Sequence, residues 1–267
     1  MRSLTGIDFS GARQAGHGIW LADATVADGQ ITVEDCRSAA DRFGVAERAP
    51  CLGRLTEFLR EAETVGLDFP FGVPATVHDR ETWAASLEWV ATAAADADSF
   101  QQVCRERAKS ATDGARADLK RETDGPVGAL SPYGSHVWKQ TFYGIRDVLA
   151  PLAGTDGVAV RPMQDGASDA TDLCEVYPAA TLAALDLPAA EYKDDSATAR
   201  DRRRTIVDGL TAETPLSFTD EVRGILLDDA GGDALDAVVA ALGTYRARQA
   251  DFEPDRPWDE REGHIYV

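Results

Sequence analysis

Lysine is the scarcest charged residue of this chain. Only Lys109, Lys120, Lys139 and Lys193 occur in 267 residues, and nearly all positive charge is arginine. The four cysteines, Cys36, Cys51, Cys104 and Cys174, lie far apart with no paired ligand spacing. Neither a zinc framework nor a disulfide scaffold is expected. No run approaches the roughly 18 apolar residues that a bilayer span needs, so no membrane partner is expected. The N-terminus runs almost directly into a strand-like segment without a basic-then-apolar leader, which points to a cytoplasmic location. Positive charge is short overall: 27 lysines and arginines face 46 aspartates and glutamates, for a net charge of −19. Aspartate well ahead of glutamate, with arginine in place of lysine, is the halophilic pattern, in which acidic surfaces keep proteins soluble at high internal salt. At molar salt the Debye length is about 3 Å. The global charge therefore does not exclude a nucleic-acid partner, and only local patches count.

What the chain does have is material for a core, 44% of its residues being hydrophobic. The length suits a single domain over 1–267 with a helical or loop insertion at about 98–157. Residues 4–9, 18–24 and 30–36 read as three strands. Asp28-Gly29 is a hairpin signal between the second and third, so a three-strand antiparallel meander is expected. Helical spacing of Leu52, Leu55, Phe58, Leu59 and Ala62, then the strand 65–69, places a fourth strand parallel to the first. Helices are expected over 79–97, capped by Asp79, then on through Lys109, and over 135–152, with irregular chain at 112–132. Strands follow at 158–163 and 171–176, and helices at 178–185, 194–210, 219–227 and 233–248.

The stretch Leu4-Thr-Gly-Ile-Asp-Phe-Ser-Gly-Ala12 places Asp8 in an apolar strand just before a Gly-containing turn. An ionised carboxylate in such a setting costs several kcal/mol unless it is paired. Asp68, in Gly66-Leu-Asp-Phe-Pro-Phe-Gly72, has a parallel context, and both acids fall near one end of the sheet, where open α/β sheets place their sites. Glu175 ends a further strand-like run. Asp233 and Asp236 share a helix face, and Asp236 borders the buried stripe. Like charges that converge call for a divalent cation, and carboxylates from separate elements can hold two Mg²⁺ or Mn²⁺ ions for phosphoryl transfer. Taken singly, Asp68 suits a turn and Asp233 a helix cap.

Gly6-Ile-Asp-Phe-Ser-Gly-Ala12 with Trp20, Leu67-Asp-Phe-Pro-Phe-Gly72, Glu175-Val-Tyr-Pro178, Asp233-Ala-Leu-Asp-Ala-Val-Val-Ala-Ala-Leu242 and Glu262-Gly-His-Ile-Tyr266 together resemble the predicted RNase H-like nucleases of domain of unknown function 429. That resemblance implies an α/β, ribonuclease H-like fold: a mixed five-stranded sheet, three strands antiparallel, flanked by helices. It also implies a metal-dependent nuclease whose acids would be Asp8, Asp68, Asp233 and Asp236, with Glu175 as the acid of the family's Glu-x-Tyr-Pro motif. Asp8, Asp68 and Asp236 are the expected catalytic residues, and all five acids are candidate metal ligands.

Other residues qualify less well. Arg200, Arg202, Arg203 and Arg204 are read as a solvated face neutralised by nearby aspartates. Tyr133, Lys139 and Arg146 lie in a basic and aromatic stretch suited to backbone tracking and stacking, and are the candidate substrate-binding residues. His264 reads as packed, His17 and His78 as surface or loop residues. Two other functions remain open: a small-molecule or nucleotide phosphotransferase or ATP-binding protein on the same fold, and a non-catalytic binding module. The acidic composition itself makes a prediction. The melting temperature should rise by ~5 °C or more between about 0.2 M and about 2 M potassium chloride as self-repulsion is screened. A flat or falling melting curve would refute the salt-adaptation reading.

Overall fold

The computed structural model describes residues 2–267. Strand β1 (Arg2–Asp8) leads through the one-turn helix α1 (Ala15–Gly18) into β2 (Trp20–Ala27) and β3 (Gln30–Ser38). These three pair antiparallel, with Asp28 and Gly29 both at positive φ in the connecting turn. Helices α2 (Ala39–Phe43) and α3 (Arg48–Leu59) cross to β4 (Thr64–Asp68), which runs parallel to β1.

Next come α4 (Ala75–His78), α5 (Trp83–Thr92) and α6 (Ala97–Ala111). The helix expected over 79–97 is thus displaced. Asp79 ends α4 in the left-handed region, at φ 55°, and Thr82 caps α5 by accepting the Ala85 N–H. Residues 112–137 contain no helix or strand. Helix α7 (Trp138–Gly144) passes through a π turn at Ile145–Leu149 into α8 (Ala150–Leu152). The chain closes with β5 (Val158–Arg161), β6 (Thr171–Val176), α9 (Pro178–Ala184), α10 (Ala197–Glu213), β7 (Leu216–Phe218), α11 (Asp220–Asp228), α12 (Asp233–Gln249) and β8 (Ile265–Tyr266).

The sheet is mixed and has eight strands where five were expected. Its order is β5-β6-β4-β1-β2-β3-β7, with β8 paired to β6. The additions β7 and β8 have three and two residues, too few for an alternating pattern to show in sequence. Helices cover both faces. On one, Ile7, Phe9, Leu21, Val65 and Leu67 pack with residues of α3, α5, α6 and α7. On the other, Leu4, Ala22, Ala24, Ile31 and Val33 pack with α10, α11 and α12. No described helix is long and apolar enough to cross a membrane.

Helix α12 lies directly on the middle of the sheet because two glycines clear its path. A Cβ at Gly6 would overlap the backbone of Ala237 and Ala241, and one at Gly66 would overlap the Thr244 side chain. Side chains alternate across a strand, so Asp8 and Asp68, each two residues beyond its glycine, leave the sheet on the α12 side. Gly6→Ala should therefore destabilise the fold by about 3 kcal/mol or more, because backbone rather than a yielding side chain meets the methyl. Urea unfolding measures this. A loss below about 0.5 kcal/mol, the scale of an ordinary surface change, would contradict the close approach.

Candidate active site: a carboxylate cluster at the strand ends

Asp8 and Asp68 are register partners on adjacent parallel strands, which sets their backbones about 4.8 Å apart. Asp236 and Asp233 occupy the first turn of α12, which faces those strand ends. Asp8 is 8% and Asp236 4% exposed. Asp8 is held well above the usual carboxylate range, first by burial, then by Asp236, with Asp68 and Asp233 adding to it. Asp68 is raised likewise by burial and by Asp236. Asp233 is raised mainly by burial and lies within hydrogen-bonding reach of Asp8. It is not merely a cap: Asp229 accepts the Ala234 N–H at the start of the helix. The structure thus brings together four of the five expected acids.

One cation enters this group from the chain itself. Lys193 Nζ lies 2.5 Å from Asp236 Oδ2 and 3.8 Å from Asp233 Oδ1. The Tyr192 hydroxyl donates to the other Asp236 oxygen at 2.6 Å. Burial opposes the charge of Lys193, but Asp236 and Asp8 outweigh it and raise its pKa. The Gly231-Gly232 turn makes room for this arm, since a Cβ at Gly232 would crowd both Lys193 and the Tyr192 ring. Arg203 is the exception to the solvated arginine face. It is buried and donates to the carbonyls of Tyr192, Asp194 and Leu227. Its neighbours Arg200, Arg202 and Arg204 pair with Asp228, Glu191 and Asp201 as surface ion pairs.

Glu175 does not join the cluster. Its register partner on β4 is Leu67, so it leaves the sheet on the face opposite Asp68. There it forms a two-pronged ion pair with Arg121, at 2.5 and 2.7 Å, and accepts the Phe71 N–H at 2.8 Å. Asp124 binds the same guanidinium. A carboxylate engaged by three donors has little left for a metal. A small cleft at the C-terminal ends of β4 and β6 joins the two groups, running from Asp68 past Phe69, Leu130, Val137 and Tyr177 to Glu175.

Two of the three substrate-binding candidates are also corrected. Tyr133 is fully buried, and its hydroxyl accepts the Leu119 N–H. Arg146 lies over Phe142 and Tyr143 and pairs with Asp147, so packing occupies its guanidinium. Lys139 stays available: it is exposed, and its backbone abuts Gly11 in the loop that follows Asp8. His264 is packed as expected, edge-on to Tyr266 and Trp258. His78 is buried rather than superficial, its Nδ1 accepting the Arg80 N–H.

Sequence reasoning missed Lys193, Tyr192, Arg121 and Asp124. The available signal was scarcity: in a chain with four lysines, one that sits in a short irregular segment between two helices merits notice.

The fold and site together define a mixed α/β protein with a partly buried carboxylate cluster at the ends of adjacent parallel strands. The family model described as "Protein of unknown function (DUF429)" matches residues 6–257, and the chain belongs to that family. Comparison with curated proteins and with solved structures returned no match.

The buried histidines generate a pH prediction. Burial depresses His78 and His264 to about 4, against an ordinary value near 6.5. The unfolded chain therefore takes up protons below pH ~6.5 that the folded one refuses until about pH 4, so stability falls as pH drops through that window. Each histidine contributes up to about 1.4 kcal/mol per pH unit. His264→Phe, which preserves the aromatic packing, should flatten the dependence of unfolding free energy between pH 6.5 and 5 by about 1 kcal/mol per unit. An unchanged slope would show that His264 is not held neutral.

Proposed function

We propose that this protein is a divalent-metal-dependent nuclease whose centre is Asp8, Asp68 and Asp236, with Asp233 beside them. The observation that carries the reading is the register pairing of Asp8 with Asp68 under the first turn of α12. The order and sense of β3-β2-β1-β4-β6, three strands antiparallel and the rest parallel, support a ribonuclease H-like core extended by β5, β7 and β8. The donor set suits Mg²⁺ or Mn²⁺, which take hard oxygen ligands. Burial and mutual repulsion already penalise the ionised acids, and among the described residues no hydrogen-bond donor reaches the Asp68 carboxylate. The side chains as they stand are not a ready-made site, since no three described His, Cys, Asp or Glu residues are arranged to hold an ion. Lys193 holds Asp236 instead.

When bound, one or two such ions would neutralise charge on a phosphodiester and activate a water for in-line attack. The chain's own residues do the placing. Asp8, Asp68 and Asp236 would hold such ions, with Asp233 beside them. Asp236 is oriented by Tyr192. Helix α12 directs its N-terminus at the acids and stabilises their negative charge. Exposed Lys139, whose backbone abuts the loop after Asp8, would be available to the substrate's phosphates.

The test is thermal unfolding in potassium chloride, with and without Mn²⁺, for the native chain and for Asp8→Asn. With Mn²⁺ at about 100 times its dissociation constant the native chain should gain about 2.7 kcal/mol, a shift of several degrees, and Asp8→Asn should gain none. In chelator Asp8→Asn should melt higher than the native chain, because it removes one of the crowded charges. An equal Mn²⁺ shift in both chains, or none in either, would count against the site. If the site holds, branched, single-stranded and hybrid substrates are the assays to run. Retention of ATP without nucleic-acid cleavage would favour the phosphotransferase function.

A further inference from the structure

Lys193 occupies the position that an external cation would need. Its ammonium contacts Asp236 and approaches Asp233, both on α12, and its charge works against the raised pKa values of Asp8 on β1 and Asp68 on β4. Two carboxylates thus share one ammonium, and two more lie within range of its charge. The backbone that carries it is fixed from beneath: buried Arg203 grips the carbonyls of Tyr192 and Asp194, on either side of Lys193. Gly232 lets the arm sit directly against the start of α12. The side chain beyond that anchor is freer. The Lys193 side chain is 46% exposed and that of Asp236 only 6%, so the ammonium can turn outward while the backbone and Asp236 stay in place. The two Asp236 oxygens are divided between neighbours, one held by the buried Tyr192 hydroxyl and the other by the half-exposed ammonium.

We propose that Lys193 is the resident cation of this cluster: it balances the acids in the ion-free protein and must leave Asp236 before a divalent ion can bind there. Tyr192 keeps Asp236 oriented during the exchange. This rests on the metal-dependent reading and deepens it by naming the residue that sets affinity for the ion. A tethered ammonium competes at high effective concentration. A doubly charged ion attracts several carboxylates more strongly than a single charge does, so the exchange favours divalent over monovalent ions.

The experiment compares the full native chain, Lys193→Met and Lys193→Arg in one potassium chloride buffer. Binding is read from loss of the six-line electron paramagnetic resonance signal of free Mn²⁺. Stability is read as the melting temperature in chelator. Lys193→Met should bind Mn²⁺ about tenfold or more tightly, because a repelling unit charge is gone, and should melt lower in chelator. Lys193→Arg should keep the native affinity to within about threefold. Equal or weaker Mn²⁺ binding by Lys193→Met overturns the proposal. If no chain binds Mn²⁺, the nuclease reading falls by itself, and the resident-cation role is then decided by the chelator arm, where an unchanged melting temperature overturns it. If Lys193→Met does not fold, adding Asp236→Asn should restore folding, and failure to do so overturns the proposal.

Discussion

The structure turns on how closely α12 approaches the sheet. At Gly6 and Gly66 nothing projects from β1 and β4, and the helix backbone fills that space. The helix answers with small residues, Ala234, Ala237, Ala240, Ala241 and Thr244, all buried. Contact of this kind gains dispersion energy along a whole helix face but tolerates no added atom. It also fixes where the acids sit. Each glycine is followed two residues later by an aspartate on the same face, while α12 begins opposite them with Asp233 and Asp236. Packing and acid placement are therefore one constraint: a helix held farther from the sheet would separate Asp236 from Asp8.

A second anchor, Arg121, does for the opposite face what α12 does for this one. Its guanidinium joins Glu175 at the end of β6, Asp124 in the irregular stretch, and the Glu262 carbonyl near the C-terminus. Glu262 in turn accepts the backbone N–H groups of Ala75 and Glu122, and Thr123 accepts that of Ile265. Residues 112–137, which have no helix or strand, are thus held by side chains. Removing one partner of such a buried group leaves an uncompensated charge, at a cost of about 3–5 kcal/mol. The Glu175-Val-Tyr-Pro motif, whose glutamate was a candidate metal ligand, and the Glu262-Gly-His-Ile-Tyr stretch here close the fold beside the carboxylate cluster.

The difference between what was legible and what was not follows from which patterns are local. Asp8 and Asp68 could be found because each interrupts a short apolar strand, and strand alternation plus a parallel crossover places them side by side. Asp236 could be found from its place beside the helix stripe. Glu175 has the same local signature as Asp68, but which face it takes depends on its register with β4, and register is a tertiary property. Tyr133 and Arg146 carry groups suited to nucleic acid, yet the same aromatic rings serve equally well as core, and here burial prevails. Strand β7 is too short to alternate. Tyr192 and Lys193 lie in irregular chain, where no period marks a direction, and only their seat on Gly232 and their tie to Arg203 bring them to the acids.

The charge balance of the cluster bears on why such an arrangement exists. Asp8 and Asp68 have carboxyl pKa values raised by burial and by like charge. A group raised in this way works against the folded state once the pH exceeds its unfolded value, and the penalty grows until the folded group itself ionises. Lys193 offsets part of that penalty but supplies one positive charge against several negative ones. If these positions served packing alone, apolar side chains of similar size would stabilise the fold better. The same acids become favourable only when more positive charge arrives, and a divalent ion brings it in a form that oxygen ligands accept. On the proposed reading, the electrostatic cost of gathering these acids is the same term that would draw a divalent ion to them, and Lys193 would set the balance.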